Sequence, residues 1–402
     1  MKTRIIETYY RLLNGQNIET HRFLFREFNI NRRLTGIVGP RGTGKTTLML
    51  QFIKSSISDI HKALYLSLDN IYFDRSTLIE FVQELYETEN RNVFFIDEVH
   101  KYKNWNQEIK NIYDSFPDIR IIFSGSSSLD LIKGNYDLSR RGFIYNLPGL
   151  SFREYLNFAT GGNHSRIEYR ELLDNPVKVC QILSDIPKIR GHFKDYLDKG
   201  YYPFIFEEEY TYHHRILNII DKTVFEDIAN FYNLKTSNLH NFKKILAYLA
   251  TIEPGPLSVN NISNNMGLDN KTVQIYINIL TETGLLTKIT NDKTGSKLLR
   301  SSEKAYLNNP NLYFAISNEI GKEIRIGTIR EIFFLNMLIN SGQKVFHTKK
   351  GDFKVSDHTF EIGGKNKKRD QISALKNAWL VKDDILIGDS ETIPLYAFGF
   401  IY

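Results

Sequence analysis

The chain has a single cysteine, Cys180, in 402 residues. That excludes disulfides within the chain and leaves no ligand set for a cysteine-based zinc site. Such usage fits a reducing compartment, and the expected location is cytoplasmic. The opening residues Met1-Lys2-Thr3-Arg4-Ile5-Ile6-Glu7 hold no apolar core of signal-peptide length. No stretch approaches the roughly 18 apolar residues of a membrane span, so none is expected. A large excess of one charge is also missing. The net charge of +6 and pI of about 9.0 are mild for this length. They permit a nucleic-acid partner without requiring one. Apolar residues, by contrast, are plentiful. Hydrophobic content of 42% supports real cores, and the length fits about two to four domains.

The most specific motif is Gly39-Pro40-Arg41-Gly42-Thr43-Gly44-Lys45-Thr46, which spells G-x-x-x-x-G-K-T and continues into Thr47. An apolar run, Leu34-Thr35-Gly36-Ile37-Val38, leads into it, and a helical pattern with Leu48, Leu50, Phe52 and Ile53 follows. This is the strand–loop–helix context of a nucleotide-binding P-loop. The glycines let successive backbone N–H groups face one phosphate chain. Lys45 is expected to reach the β- and γ-phosphates, and Thr46 to offer its hydroxyl to Mg²⁺. The helix after Gly44 points its positive end at the same anion.

Further on, 62–68 reads as a strand and 76–87 as a helix. Val93-Phe94-Phe95-Ile96-Asp97-Glu98 is four apolar residues followed by two carboxylates. A continuous apolar run suits a buried strand of a parallel sheet, whose carboxyl end opens on the ligand crevice. Asp97 is therefore expected in the Mg²⁺ shell and Glu98 beside the attacking water, as its base. The strand 118–123 ends in Ser124-Gly125-Ser126-Ser127. Ser124 is the expected γ-phosphate sensor and Ser126 its alternative. A fifth strand is expected at 143–147, and the alternation of strands and helices argues for a parallel α/β sheet.

Three stretches together resemble a prokaryotic family of AAA+-type ATPases. They are Phe95 through Trp105, Phe123-Ser124-Gly125-Ser126-Ser127, and Leu138-Ser139-Arg140-Arg141 with Leu147-Pro148-Gly149-Leu150-Ser151-Phe152-Arg153-Glu154-Tyr155. Members of that family join the ATPase to a C-terminal domain of unknown function. The resemblance implies ATP as the nucleotide. It also implies that Arg141, with Arg140 adjacent, supplies a guanidinium to a neighbouring subunit's γ-phosphate. His100 matches the family pattern, but no chemical role follows from the sequence. Tyr196-Leu197 and Gly200-Tyr201-Tyr202-Pro203 match it too, and their purpose is likewise not legible.

The expected organisation is an ATPase core over 1–150, a helical lid over 151–235, a winged helix-turn-helix over 236–300 and an α/β domain over 301–402. Phe242, Ile245, Leu246 and Leu249 make one helix face. A short helix over 259–266 ends at Gly267, and a third begins at Asn270, taken as its cap, and stops at Gly284. With a hairpin after it, this is the order of a winged helix, whose third helix would read DNA. That helix holds one lysine and no arginine. The last hundred residues resemble the PD-(D/E)xK restriction-endonuclease fold. The resemblance implies a metal site at Asp352 and Glu361, with Glu331 on the preceding helix. The signature lysine should stand at 363, where there is Gly363, and the nearest lysine is Lys365. A helix is expected over 370–378, carrying Gln371, and a strand over 393–400. With the lysine displaced, a degenerate, non-cutting domain is the expectation.

The leading functional reading is an Mg²⁺- and ATP-binding ATPase that moves C-terminal modules. The alternatives are a nucleotide-gated binder of double-stranded DNA, an ATP-controlled nuclease, and a protein-interaction switch. A homo-oligomer follows if Arg141 acts in trans.

Overall fold

The computed structural model describes residues 2–125, 138, 140–293 and 302–402. The chain divides into two compact units, Met1–Gly149 and Leu150–Tyr402.

The first unit is built on five strands: β1 Leu34–Val38, β2 Ala63–Ser67, β3 Val93–Asp97, β4 Arg120–Gly125 and β5 Phe143–Asn146. They pair in parallel in the order β2-β3-β4-β1-β5. Parallel strands need crossovers, and helices supply them. These are α2 Lys45–Ser56, α3 Leu78–Glu89 and α4 Trp105–Ser115, while α1 Lys2–Asn14 precedes β1. Val93, Phe94, Phe95 and Ile96 are all at most 1% exposed. Each stabilises the sheet by about 1.5–3 kcal/mol. The helix expected over 76–87 starts at Leu78 because Thr77 and Glu80 form a reciprocal capping box. It runs on to Glu89, where Asn90 turns left-handed.

The second unit begins with α5 Phe152–Thr160, started by a Ser151–Glu154 capping box. Next come α6 Tyr169–Asp174, α7 Pro176–Ser184, α8 Ile189–Lys199 and α9 Tyr212–Lys222. Cys180 is buried here, and burial pushes its thiol up to about 12, so it is chemically quiet. The turn 200–203 is a packing hub. Fully buried Asn311 accepts from the Tyr201 N–H at 2.7 Å and the Tyr212 hydroxyl at 2.5 Å, and donates to the carbonyls of Tyr196 and Leu197 at 3.2 and 2.7 Å. A Cβ on Gly200 would meet the Tyr196 Cα at 2.6 Å. The motif around Gly200-Tyr201-Tyr202-Pro203 is therefore architectural.

Three helices follow: α10 Thr236–Thr251, α11 Val259–Met266 and α12 Asn270–Glu282. The cap of α12 is Asp269, which accepts from the Thr272 N–H, and not Asn270 as the sequence suggested. An antiparallel hairpin, β6 Leu286–Thr290 with β7 Glu303–Leu307, comes next. It bridges the division expected at 300/301. Then come α13 Pro310–Glu319 and α14 Ile326–Asn340. The last sheet has the order β12-β11-β10-β9-β8. Its strands are β8 Val345–His347, β9 Phe353–Val355, β10 His358–Gly363, β11 Ala378–Lys382 and β12 Thr392–Pro394. The β8-β9-β10 pairs are antiparallel and the β10-β11-β12 pairs parallel. Two sequence expectations fail here. Residues 370–377 form turns and bends instead of a helix, so Gln371 is not helical. The expected strand over 393–400 is mostly a 3-10 helix, Leu395–Phe400, because β12 ends at Pro394, whose ring removes a ladder donor.

Candidate nucleotide-binding site

Sheet order brings the site together. β4 lies between β3 and β1, with Ile37 opposite Ser124 and Ile96 opposite Phe123. The carboxyl ends of three strands therefore sit side by side: the P-loop after β1, Ser124 on β4 and Asp97 ending β3. This is where an open parallel sheet receives a ligand.

The P-loop takes its expected conformation. At Gly39 a Cβ would fall 2.1 Å from the Leu147 carbonyl oxygen, so only glycine fits. Gly44 has φ 87°, which a side chain would resist, and α2 starts directly after it at Lys45. The Lys45 ammonium is buried and donates to the carbonyls of Gly39 and Pro40 at 2.8 and 3.0 Å. Thr43 closes the loop by donating to Pro40 O at 2.9 Å. Arg41 and Thr46 are half-buried, and Gly42 and Thr47 are exposed.

Asp97 is the centre of a hydrogen-bond cluster. Its Oδ2 accepts from the Thr46 hydroxyl at 2.6 Å and the Tyr65 hydroxyl at 2.8 Å. Its Oδ1 accepts from the Ser124 hydroxyl and from the Glu98 N–H at 3.0 Å. Burial, reinforced by the Asp97 charge, pushes the Tyr65 phenol well above its usual range, so it stays a donor. Ser124 is fully buried with its hydroxyl spent on Asp97. The sequence anticipated this serine as the γ-phosphate sensor, and in the structure its hydroxyl bonds to Asp97 Oδ1. Ser126, its alternative, lies outside the described residues. Glu98 stands just past the strand with φ 54°, and His100 Nε2 lies 3.3 Å from its Oε2. Arg141 makes a two-pronged contact with Asp114 on α4, at 3.1 and 3.3 Å.

Sequence reasoning missed three members. Tyr65 is one strand away from Asp97, and only the β2–β3 pairing reveals the contact. Buried Arg22 donates to Thr43 O at 2.5 Å, and to the carbonyls of Pro148 and Gly149 at 2.8 and 2.9 Å, bracing the P-loop from behind. No local pattern marks it. Asp114 likewise has no motif.

The second unit holds a separate charged cluster. Fully buried Glu361 pairs through Oε1 with the Lys367 ammonium at 2.5 Å. The lysine that reaches Glu361 is thus Lys367, not Lys365. Gly363 makes the approach possible, since a Cβ there would fall 2.4 Å from the Lys367 stem. Asp352 Oδ2 accepts from the Ile362 N–H at 2.7 Å, and Glu331 accepts from the Tyr306 hydroxyl at 3.0 Å. Burial raises all three carboxyls. Glu331 rises to about 7, with the Asp352 charge as the second cause. Burial pulls Lys367 down, but the Glu361 contact outweighs it and the ammonium is raised overall. Among the described residues, no three His, Cys, Asp or Glu side chains are arranged to hold a metal ion. Glu331, Asp352 and Glu361, the carboxylates expected at a metal site, nevertheless stand close enough for the Asp352 charge to raise both glutamates, with Lys367 among them.

Comparison with known proteins agrees with the first unit. Residues 31–156 match the family model described as an AAA domain, and residues 190–323 match a domain of unknown function, DUF8612. Two proteins of Methanocaldococcus jannaschii are similar in sequence. Uncharacterized protein MJ1637 is 27% identical over 69% of this chain and 60% of its own. Uncharacterized protein MJ1544 is 23% identical over 85% of this chain and 75% of its own. The chain thus spans about three fifths of the first relative's length. Among solved structures, AMPPCP-bound DnaA from Aquifex aeolicus is 16% identical, covering 69% of this chain and 88% of that one with a TM-score of 0.28. C. elegans PCH-2 is 19% identical over 40% of this chain and 46% of that one, with a TM-score of 0.24. Superpositions that loose carry no weight of their own. No helix among the described residues is long and apolar enough to cross a membrane. The parallel sheet, the P-loop with its aspartate and the family match together make residues 31–156 an AAA domain of the P-loop ATPase type.

Proposed function

We propose that the chain is an Mg²⁺-dependent ATPase in which nucleotide binding and hydrolysis move the C-terminal modules. The observation that carries this reading is the hydrogen-bonded series Thr46–Asp97–Ser124, with Glu98 adjoining it, at the mouth of the P-loop. The donor set suits Mg²⁺, since the Thr46 hydroxyl and Asp97 carboxylate are hard oxygen ligands. When bound, Mg²⁺ supplies charge neutralisation to the phosphate oxygens. The chain's own residues do the rest. The backbone from Gly42 to Thr46 donates to the phosphates, and Lys45 exchanges its carbonyl partners for phosphate oxygens. Glu98 takes the proton of the attacking water. Ser124 acts through Asp97, holding the carboxylate that Thr46 shares. Arg141, to complete a neighbour's site, must first leave Asp114.

Three helices and a hairpin over 236–307 support a double-stranded DNA partner. Yet α12 offers Lys271 as its one basic side chain, which favours a protein partner over phosphate contacts. Steady-state phosphate release with Mg-ATP, with and without duplex DNA, tests both. Turnover lost in Glu98→Gln supports the ATPase reading, and an unchanged rate overturns the assignment of the base. DNA stimulation identifies the partner as nucleic acid, and indifference to DNA identifies a protein-directed switch.

A further inference from the structure

Beyond the P-loop chemistry, one buried side chain of the first unit has a job to explain. Glu98 adopts the left-handed region at φ 54°, which a residue with a Cβ rarely does. A 3-10 turn, Val99–Lys101, follows immediately, closed by Lys101 N to Glu98 O at 2.9 Å. The two features fold the chain back so that His100, two residues on, returns to the Glu98 side chain. The imidazole is 6% exposed and the Glu98 side chain 25%. Oε2, the oxygen facing the imidazole, is buried. The exposure of Glu98 therefore comes from its other atoms.

We infer that His100 is the positioning residue for Glu98. A base is effective only in one orientation, and a third group commonly supplies it. His100 Nε2 holds Oε2 inward and leaves Oε1 to meet the water. The two atoms stand 3.3 Å apart, within reach of a hydrogen bond but not aligned as one, and the positioning role requires the imidazole N–H to turn onto Oε2. In the reaction, the water oxygen bonds to the γ-phosphorus and its proton passes to Glu98 Oε1. The bridging P–O bond breaks, and its electron pair leaves on ADP. His100 touches none of the reacting atoms. This inference rests on Glu98 being the base.

The test is phosphate release by the full chain as His100→Ala, His100→Gln, Glu98→Gln and the double variant Glu98→Gln/His100→Ala. Nucleotide affinity and melting temperature are measured alongside. His100→Ala should lower kcat about tenfold or more with KM and nucleotide affinity unchanged. His100→Gln, which keeps a donor, should recover part of the loss. The double variant should be no slower than Glu98→Gln. A His100→Ala rate equal to wild type, while Glu98→Gln is inactive, overturns the positioning role and spares the base. Equal losses in both His100 variants with a lowered melting temperature also overturn it, making His100 a packing residue. A fully active Glu98→Gln sinks the underlying reading instead.

Discussion

Glu331 makes the stability of the second unit depend on pH in a direction opposite to that of a salt-bridged carboxylate. Its carboxyl is raised from 4.5 to about 7, first by burial and then by Asp352. The sign follows from proton counting. Below 4.5 both the folded and unfolded chains hold the proton. Between the two values the folded chain keeps a proton that the unfolded chain has released, so stability falls as pH rises, and the loss is complete above 7. One pKa unit is about 1.4 kcal/mol, so the whole loss is about 3 kcal/mol, and about 2 kcal/mol of it falls between about pH 5.5 and pH 8. Glu331→Gln removes the titration but keeps an oxygen for the Tyr306 hydroxyl. The two tryptophans make the assay local, because Trp105 lies in the first unit and Trp379 in the second. Urea unfolding is followed by Trp379 fluorescence in a Trp105→Phe background, with and without Glu331→Gln. Burial also lowers His164 and His347, and comparing the two chains at each pH cancels their contribution. Glu331→Gln should gain about 2 kcal/mol relative to its parent on going from about pH 5.5 to about pH 8. Parallel pH profiles for the two would refute the burial argument.

Two further outcomes are expected. Asn311→Ala leaves buried partners of four hydrogen bonds unsatisfied. It should destabilise the second unit by about 3 kcal/mol in the same fluorescence assay, and a change under about 1 kcal/mol would contradict the hub. In the C-terminal cluster, Mg²⁺ or Mn²⁺ should produce no cleavage of duplex DNA above that of Glu361→Ala. Cleavage lost in both Glu361→Ala and Lys367→Ala would overturn the non-cutting reading and give Lys367 the role of the missing signature lysine.

Wherever chemistry is carried by consecutive residues, the sequence was enough. G-x-x-x-x-G-K-T followed by an apolar helix face specifies a strand–loop–helix, because the loop's φ values and the helix start are local properties. Four apolar residues before Asp97 and Glu98 specify a buried strand ending in carboxylates for the same reason. The helices over 236–282 were legible from periodicity and glycine stops. Contacts between distant segments were not. That Tyr65 and Ser124 both serve Asp97 depends on strand order. That Arg22 braces Thr43 depends on a chain reversal no motif encodes. At Glu361 the sequence offered the nearest lysine, but side-chain reach decided otherwise: Gly363 leaves room for the stem of Lys367 to lie across it. The pattern over 370–378 suggests a helix, but 370–377 are turns and bends and Ala378 begins the strand Ala378–Lys382, because pairing with β10 decides that strand. Local propensity and spacing thus determined the motifs, while the tertiary structure decided which side chains meet, since a hydrogen bond or an ion pair depends on distance in space and not along the chain.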